Sequence, residues 1–75
     1  MTLIELLIKR KEANKHPVAI SLVELKSNGY TLEKLREMYS NGEIEFYKGL
    51  NDLYFYINEK DLLKATAEKQ NPTGN

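Results

Sequence analysis

Apolar residues recur along the first part of the chain with the period of an α-helix. The stripe within Leu3–Ile8 has the i, i+3, i+4 spacing of one helix face. Thr2 and Glu5 form a capping box in front of it, in which side chains and backbone N–H groups satisfy each other. His16-Pro17 ends this segment, because the residue before a proline avoids helical angles. The pattern therefore predicts a first helix that stops before the proline.

Two shorter helices follow, and each is predicted to end in the same Ser-Asn-Gly sequence. Ser21 and Glu24 form a capping box for the second helix. Asn28-Gly29 ends that helix, since glycine accepts the left-handed conformation without steric cost. Thr31 caps the third helix, which ends in the same way at Asn41-Gly42. The apolar residues predicted to face the core are Leu22, Val23 and Leu25 of the second helix, and Leu32, Leu35, Met38 and Tyr39 of the third.

The period then changes to two, which is typical of a β-hairpin with one face on a core. Residues 43–57 alternate in this way around the turn-forming sequence Gly49–Asp52. Folding the chain at this turn pairs like with like, which stabilises a two-stranded sheet. The predicted pairs are Phe46 with Phe55, Ile44 with Ile57, and Tyr47 with Tyr54. The short apolar run Val18–Ile20 can pair with this hairpin as a brief strand, or it can open the second helix.

A last helix is predicted after the hairpin. Asn58 caps it, with Asp61 three positions on, and Leu62 and Leu63 are expected to cover the core. The sequence from residue 70 to residue 75 has no apolar residue to bury. We therefore expect one domain over residues 1–69 and a disordered tail over residues 70–75.

The order of helix, short strand, helix, turn, helix, hairpin and helix resembles the winged helix-turn-helix superfamily over residues 3–57. The resemblance is carried by Ser21-x-x-Glu24, the Asn28-Gly29 turn, the helix LEKLREMYSNG, and Gly42-Glu43-Ile44 at the start of the hairpin. It implies an α+β fold with three helices, a two- to three-stranded β-hairpin wing and a C-terminal helix. It also implies DNA binding, with the third helix in the major groove and the hairpin along the backbone or minor groove.

Composition narrows the possible functions. A chain of 75 residues can bury only a modest core, and dimerisation is a common remedy. There is no Cys, so disulfides and thiolate metal sites are excluded, and His16 is the one histidine. The apolar runs fall far short of the ~20 residues that span a bilayer, and no secretory signal is evident. We expect a cytoplasmic protein without membrane contact.

The sequence contains few residues that could form a catalytic, cofactor or metal site. The sequence has no nucleophile placed beside a base, no glycine-rich phosphate loop and no cluster of metal ligands. Glu43 and Glu45 share one strand face, but solvated carboxylates are the ordinary interpretation of such a pair. We therefore expect no enzyme, no cofactor and no metal site.

The first functional hypothesis is a DNA-binding, transcriptional regulator-like protein, whose small size suggests a phage or another mobile element. It would bind double-stranded DNA, as a monomer or a homodimer, through Lys9, Arg10, Lys11, Thr31, Lys34, Arg36 and Lys48. Two observations oppose it. Lys plus Arg number 11 and Asp plus Glu number 11, so the net charge is zero. The outward face of the third helix is also centred near Glu37 and flanked by Glu33, Lys34 and Asn41, and DNA phosphates repel the two carboxylates.

The alternative hypothesis is a protein–protein interaction module, an inhibitor or adaptor, on the same fold without DNA binding. Its contact residues would be Glu33, Glu37, Tyr47, Tyr54 and Tyr56. Aromatic rings with few charges around them are typical of interface centres. Whether another element covers these tyrosines is left open by the sequence.

Overall fold

The computed structural model describes residues 1–70, in which four α-helices and three β-strands are present. The elements are α1 (Leu3–Glu12), β1 (Ile20–Ser21), α2 (Leu22–Ser27), α3 (Leu32–Ser40), β2 (Glu45–Lys48), β3 (Leu53–Tyr56) and α4 (Glu59–Gln70). The predicted α+β class is confirmed, with helices and an antiparallel sheet in the expected order. Gln70 belongs to α4, and the rest of the predicted tail, residues 71–75, lies outside the described residues.

The predicted N-caps bind the backbone as expected. The Thr2 hydroxyl accepts from the Glu5 N–H at 3.2 Å, and the Glu5 carboxylate accepts from the Thr2 N–H at 2.8 Å. Ser21 caps α2 at 3.2 Å, and Thr31 caps α3 at 3.1 Å. Asn58 caps α4, where it accepts from the backbone N–H three residues on at 2.8 Å. Each bond satisfies a backbone donor that the helix itself leaves free.

The two Asn-Gly sequences end their helices in one geometry. Gly29 has φ +91° and Gly42 has φ +76°. Beyond Gly29, the Tyr30 N–H donates to the Leu25 carbonyl at 3.0 Å, and the equivalent bond at the end of α3 is 2.9 Å. This is the Schellman arrangement, which redirects the chain sharply after each short helix.

The sheet has the order β1-β3-β2, with antiparallel pairs throughout. The predicted register is confirmed, because Phe46 lies opposite Phe55 and Tyr47 lies opposite Tyr54. The apolar run Val18–Ile20 was predicted to form a short strand or to open the second helix. A strand is present, but it covers Ile20–Ser21, and Ile20 lies opposite Phe55. The central strand is therefore β3, and β2 lies at an edge.

The core lies between α1, the sheet and the two short helices, and α4 packs against α1. The largest fully buried side chains are Leu3, Leu7, Ile20, Leu25 and Leu35. Ile44 and Ile57, which the sequence pairs, are both buried just beyond the ends of the strands. Within residues 1–70, no helix is both long and apolar enough to cross a membrane.

Four residues that the sequence assigns to the core are exposed instead, so those predictions were wrong. The exposed fractions are 67% for Val23, 40% for Leu32, 47% for Tyr39 and 50% for Leu63. Leu63 follows the buried Leu62 by 100° around α4, and a helix this lightly covered can bury one of the two. In α2 and α3 the apolar stripe is wider than the arc that neighbouring elements cover.

Candidate functional site

An apolar groove of about 430 Å³ lies between α3 and the β2–β3 hairpin. We call it the α3–hairpin groove. Its lining residues are Leu32, Leu35, Arg36, Tyr39, Ser40, Phe46, Leu53 and Phe55. The floor belongs to the core, since Leu35 and Phe55 are buried. The walls are open to solvent, so the groove joins the hydrophobic core to the protein surface.

Both walls follow from local sequence patterns. On α3, Leu32 and Tyr39 lie seven residues apart and so share a flank of the helix. On the hairpin, Phe46 faces the same side of the sheet as its partner Phe55. The Tyr39 ring meets the Phe46 ring edge-on, with centroids 4.9 Å apart and planes at 74°. The Phe46 and Phe55 rings lie 5.9 Å apart.

These ring contacts leave the groove partly open. Phe46 retains 42% of its exposure even though it touches both other rings. Because this arrangement leaves apolar surface in water, burial of a further apolar group against it is favourable.

The charged residue that lines the groove is a cation, and a second cation lies on the same side of the hairpin. Arg36 lines it directly, and Lys48 lies on the same face of β2 as Phe46, because side chains alternate along a strand. Within the part of the chain that the structure describes, neither side chain takes part in an ion pair. The carboxylate of Glu45 lies on the other face of β2. The groove side of the hairpin therefore favours a negatively charged neighbour.

The opposite face of the hairpin carries the tyrosines proposed as an interface. Tyr47 and Tyr54 stack with centroids 5.4 Å apart and planes at 17°, and Tyr56 lies 5.9 Å from Tyr47. Tyr47 is exposed, whereas Tyr54 and Tyr56 are half-buried. The rings thus pack largely on one another, and Tyr47 is the one most accessible to a partner.

The residues proposed to bind DNA lie on three different elements, namely the last turn of α1, helix α3 with its cap, and the end of β2. The N-terminal end of α1 lies beside the start of α3, where the Leu3 N–H donates to the Tyr30 hydroxyl at 2.7 Å. Lys9, Arg10 and Lys11 lie in the last turn of α1. A helix rises about 1.5 Å per residue, so this cluster lies roughly 10 Å further along the axis.

Two of the proposed DNA-binding residues also have structural roles. The Arg10 guanidinium donates from Nε and Nη2 to the Pro17 carbonyl, at 3.1 and 2.8 Å, and so holds the loop after α1. The Thr31 hydroxyl is engaged as the cap of α3. Neither group is simply available for a phosphate.

On α3 itself the charges balance. Lys34 Nζ lies 3.4 Å from Glu37 Oε1, and both side chains are well exposed. Glu33 and Arg36 are exposed as well. Two carboxylates thus accompany two cations on the helix that the DNA hypothesis places in the major groove. Lys48 lies at the end of β2, next to the hairpin turn.

The sequence did not identify the groove as a site. Leu32 and Tyr39 have the spacing of core residues, and the alternation of the hairpin does not say which side of Phe46 is covered. No signal in the sequence separates Leu32, Tyr39 and Phe46 from residues of the core. Among the described residues, no group of three or more His, Cys, Asp or Glu lies close enough to hold a metal ion.

Comparison with known proteins found no match to this chain. No family model matches the chain, and neither the curated proteins nor the solved structures contain a match.

Proposed function

We propose that this protein is a winged helix-turn-helix domain that works as a protein-interaction module, with the α3–hairpin groove as its contact surface. The observation that carries the proposal is the exposure of Leu32, Tyr39 and Phe46 around one groove whose floor is already part of the core. The order of elements and the pairing of β1 with the hairpin support the fold assignment, because both are features of that superfamily.

The groove has the composition of an interface centre. Aromatic side chains carry much of the energy in protein complexes, and arginine is the charged residue most enriched beside them. Tyr39 and Phe46 supply the rings, and Arg36 supplies the charge. Burial of a fully exposed apolar side chain contributes about 1.5–3 kcal/mol. Tyr39 and Phe46 are 47% and 42% exposed, so a partner that closes the groove gains up to roughly half of that at each ring.

Electrostatics favour a protein over DNA as the partner. Non-specific DNA affinity comes mainly from cations that neutralise phosphates together. Here the cations lie on three different elements, at residues 9–11 of α1, residues 34 and 36 of α3, and Lys48 of β2. Glu33 and Glu37 share α3 with two of these cations. A fold alone does not distinguish a DNA-binding protein from a protein-binding one, so the charged and apolar residues of the surface have to be considered.

A pair of matched variants tests the proposal. Leu32→Gln and Leu63→Gln make the same change on exposed leucines, one in the groove and one on α4. Partners captured by the tagged wild-type protein should be lost by Leu32→Gln and kept by Leu63→Gln, while circular dichroism shows both variants folded. Equal capture by all three proteins would contradict the proposal.

The second candidate is the DNA-binding regulator. The observation that favours it is α3 itself, which follows a tight turn after α2 and presents Lys34 and Arg36 to solvent. An amide-shift titration with a mixed-sequence duplex, at low and then higher salt, separates the two functions. DNA binding would produce salt-sensitive shifts at residues 9–11, 31–36 and 48. The interaction-module proposal expects no shifts even at low salt.

A further inference from the structure

Strand β2 lies at the open edge of the sheet, and its outer backbone groups have no strand beside them among the described residues. The Gly49 N–H donates to the Asp52 carbonyl at 2.8 Å, so Gly49 and Asp52 form a hydrogen-bonded pair. Hydrogen-bonded and non-hydrogen-bonded pairs alternate in an antiparallel sheet, so the backbone of Tyr47 is hydrogen-bonded to β3. The N–H and C=O groups of Phe46 and Lys48 therefore point away from β3, to the outer edge.

We propose that β2 accepts an extended segment of a partner protein as a fourth strand, and that this segment carries an apolar residue beside Phe46 and a carboxylate beside Lys48. The proposal rests on the proposed function, since it specifies how a protein partner reaches the α3–hairpin groove. Edge strands commonly bind extended peptides through backbone hydrogen bonds, with specificity from alternate side chains.

The side chains of such a segment meet two different surfaces. Alternate residues of the added strand lie on the groove side, next to Phe46 and Lys48. At Phe46 an apolar side chain extends the ring cluster that already includes Tyr39, at a centroid distance of 4.9 Å. The backbone bonds and the groove contacts thus engage the same segment.

Charge selects the kind of segment. On the groove side Arg36 and Lys48 are both exposed and have no ion-pair partner among the described residues. The carboxylate of β2, Glu45, lies on the other face. A carboxylate opposite Lys48 is therefore the complementary group, and a lysine in that position is repelled.

A second copy of this chain is a poorer match. Two β2 strands related by a two-fold axis through Phe46 place Lys48 opposite Ile44. The neighbouring symmetric register, through Tyr47, places Lys48 opposite Phe46. Neither register brings a carboxylate to Lys48, so the complementary occupant is a different protein.

A blocked synthetic peptide tests this assignment on the full chain. Its order is threonine, glutamate, threonine, leucine, threonine, leucine, threonine, which places glutamate opposite Lys48 in an antiparallel alignment. Amide hydrogen exchange is followed by NMR. At nine times the Kd, exchange at Phe46 and Lys48 should slow about tenfold, because it proceeds from the free tenth of the protein. Exchange at Tyr47, which is already bonded, should change little.

Charge reversal provides the matched controls. A peptide with lysine in place of glutamate should bind the wild-type protein roughly two- to fivefold more weakly. The variant Lys48→Glu should reverse that preference. Unchanged preference in the variant would overturn the assignment of the carboxylate.

The remaining outcomes are also decisive. No slowing of exchange at Phe46 with millimolar peptide would overturn strand addition. Slow exchange at Phe46 without peptide, with a dimeric mass in sedimentation, would overturn it in favour of a second copy. If the peptide fails while Leu32→Gln still loses the captured partner, the protein-interaction function stands and only strand addition falls.

Discussion

Helices α1 and α3 begin from the same kind of sequence and end in different surroundings. Each has a threonine cap and apolar residues at i, i+3 and i+4 or i+7. The buried residues of α1 are Leu3, Leu6, Leu7 and Ile8, whereas α3 buries Leu35. The α1 helix packs against α4 and β1, while one flank of α3 borders the open groove. An apolar stripe thus predicts which face of a helix is favourable to bury. Whether that face is buried depends on the neighbouring elements.

The largest expected effect comes from making one substitution in both helices. Leu7→Ala removes a fully buried side chain from α1 and should cost about 2–5 kcal/mol of unfolding free energy, because a cavity remains. Leu32→Ala, at a 40% exposed site in α3, should cost about 1 kcal/mol or less. Urea denaturation of the two variants measures the difference.

A domain of this size is stable by only a few kcal/mol, so Leu7→Ala should unfold at a much lower urea concentration than Leu32→Ala. If instead the two variants unfold at similar urea concentrations, the groove wall is covered in solution, and the contrast between the helices disappears.

Local features of the fold could be predicted because they depend on neighbours in sequence. Thr2 and Thr31 cap helices through bonds that span three residues, and the hairpin register follows from alternation around one turn. The exposure of Val23 and Tyr39 could not be predicted, since it depends on how far other elements extend over each helix. The sequence indicates which residues are apolar, but it does not determine which of them other elements bury.

The same distinction applies to the candidate site. The tyrosines were identified from alternation, and their mutual packing follows from the confirmed register. The position of the basic end of α1 relative to α3 could not be predicted, because it depends on how the two helices pack in the fold. The contact between Tyr39 and Phe46 across the groove likewise requires the tertiary arrangement.

The ends of the two helices provide the next test, with effects of opposite sign. Gly42 follows α3 at φ +76°, and Asn14 follows α1 at φ +58°. No atom lies within 4 Å of a Cβ placed at Gly42, so Gly42→Ala should cost about 1–2 kcal/mol through backbone conformation alone. Asn14→Gly should be neutral or stabilise by up to about 1 kcal/mol. Thermal unfolding measures both, and a stabilised Gly42→Ala would contradict the left-handed helix end.

The two threonine caps should make similar contributions to stability. The Thr2 hydroxyl accepts one backbone bond at 3.2 Å and the Thr31 hydroxyl accepts one at 3.1 Å, while the bond from the Thr2 N–H to Glu5 does not need the threonine side chain. Thr2→Ala and Thr31→Ala should therefore each cost about 1 kcal/mol. Conversion of each threonine to serine, which keeps the hydroxyl, is the control. A larger loss at Thr31 than at Thr2 would show that α3 depends on its cap more than its light packing suggests.

The smallest effect belongs to the ion pair on α3. Lys34 Nζ and Glu37 Oε1 lie 3.4 Å apart, with side chains 58% and 65% exposed. A double-mutant cycle with alanine at both positions should give a coupling of about 0.5 kcal/mol or less, which falls further in salt, because water screens exposed charges. A coupling well above 1 kcal/mol would mean that this face of α3 is shielded from water. Helix α3 would then be covered in solution, and its exposure would no longer distinguish it from α1.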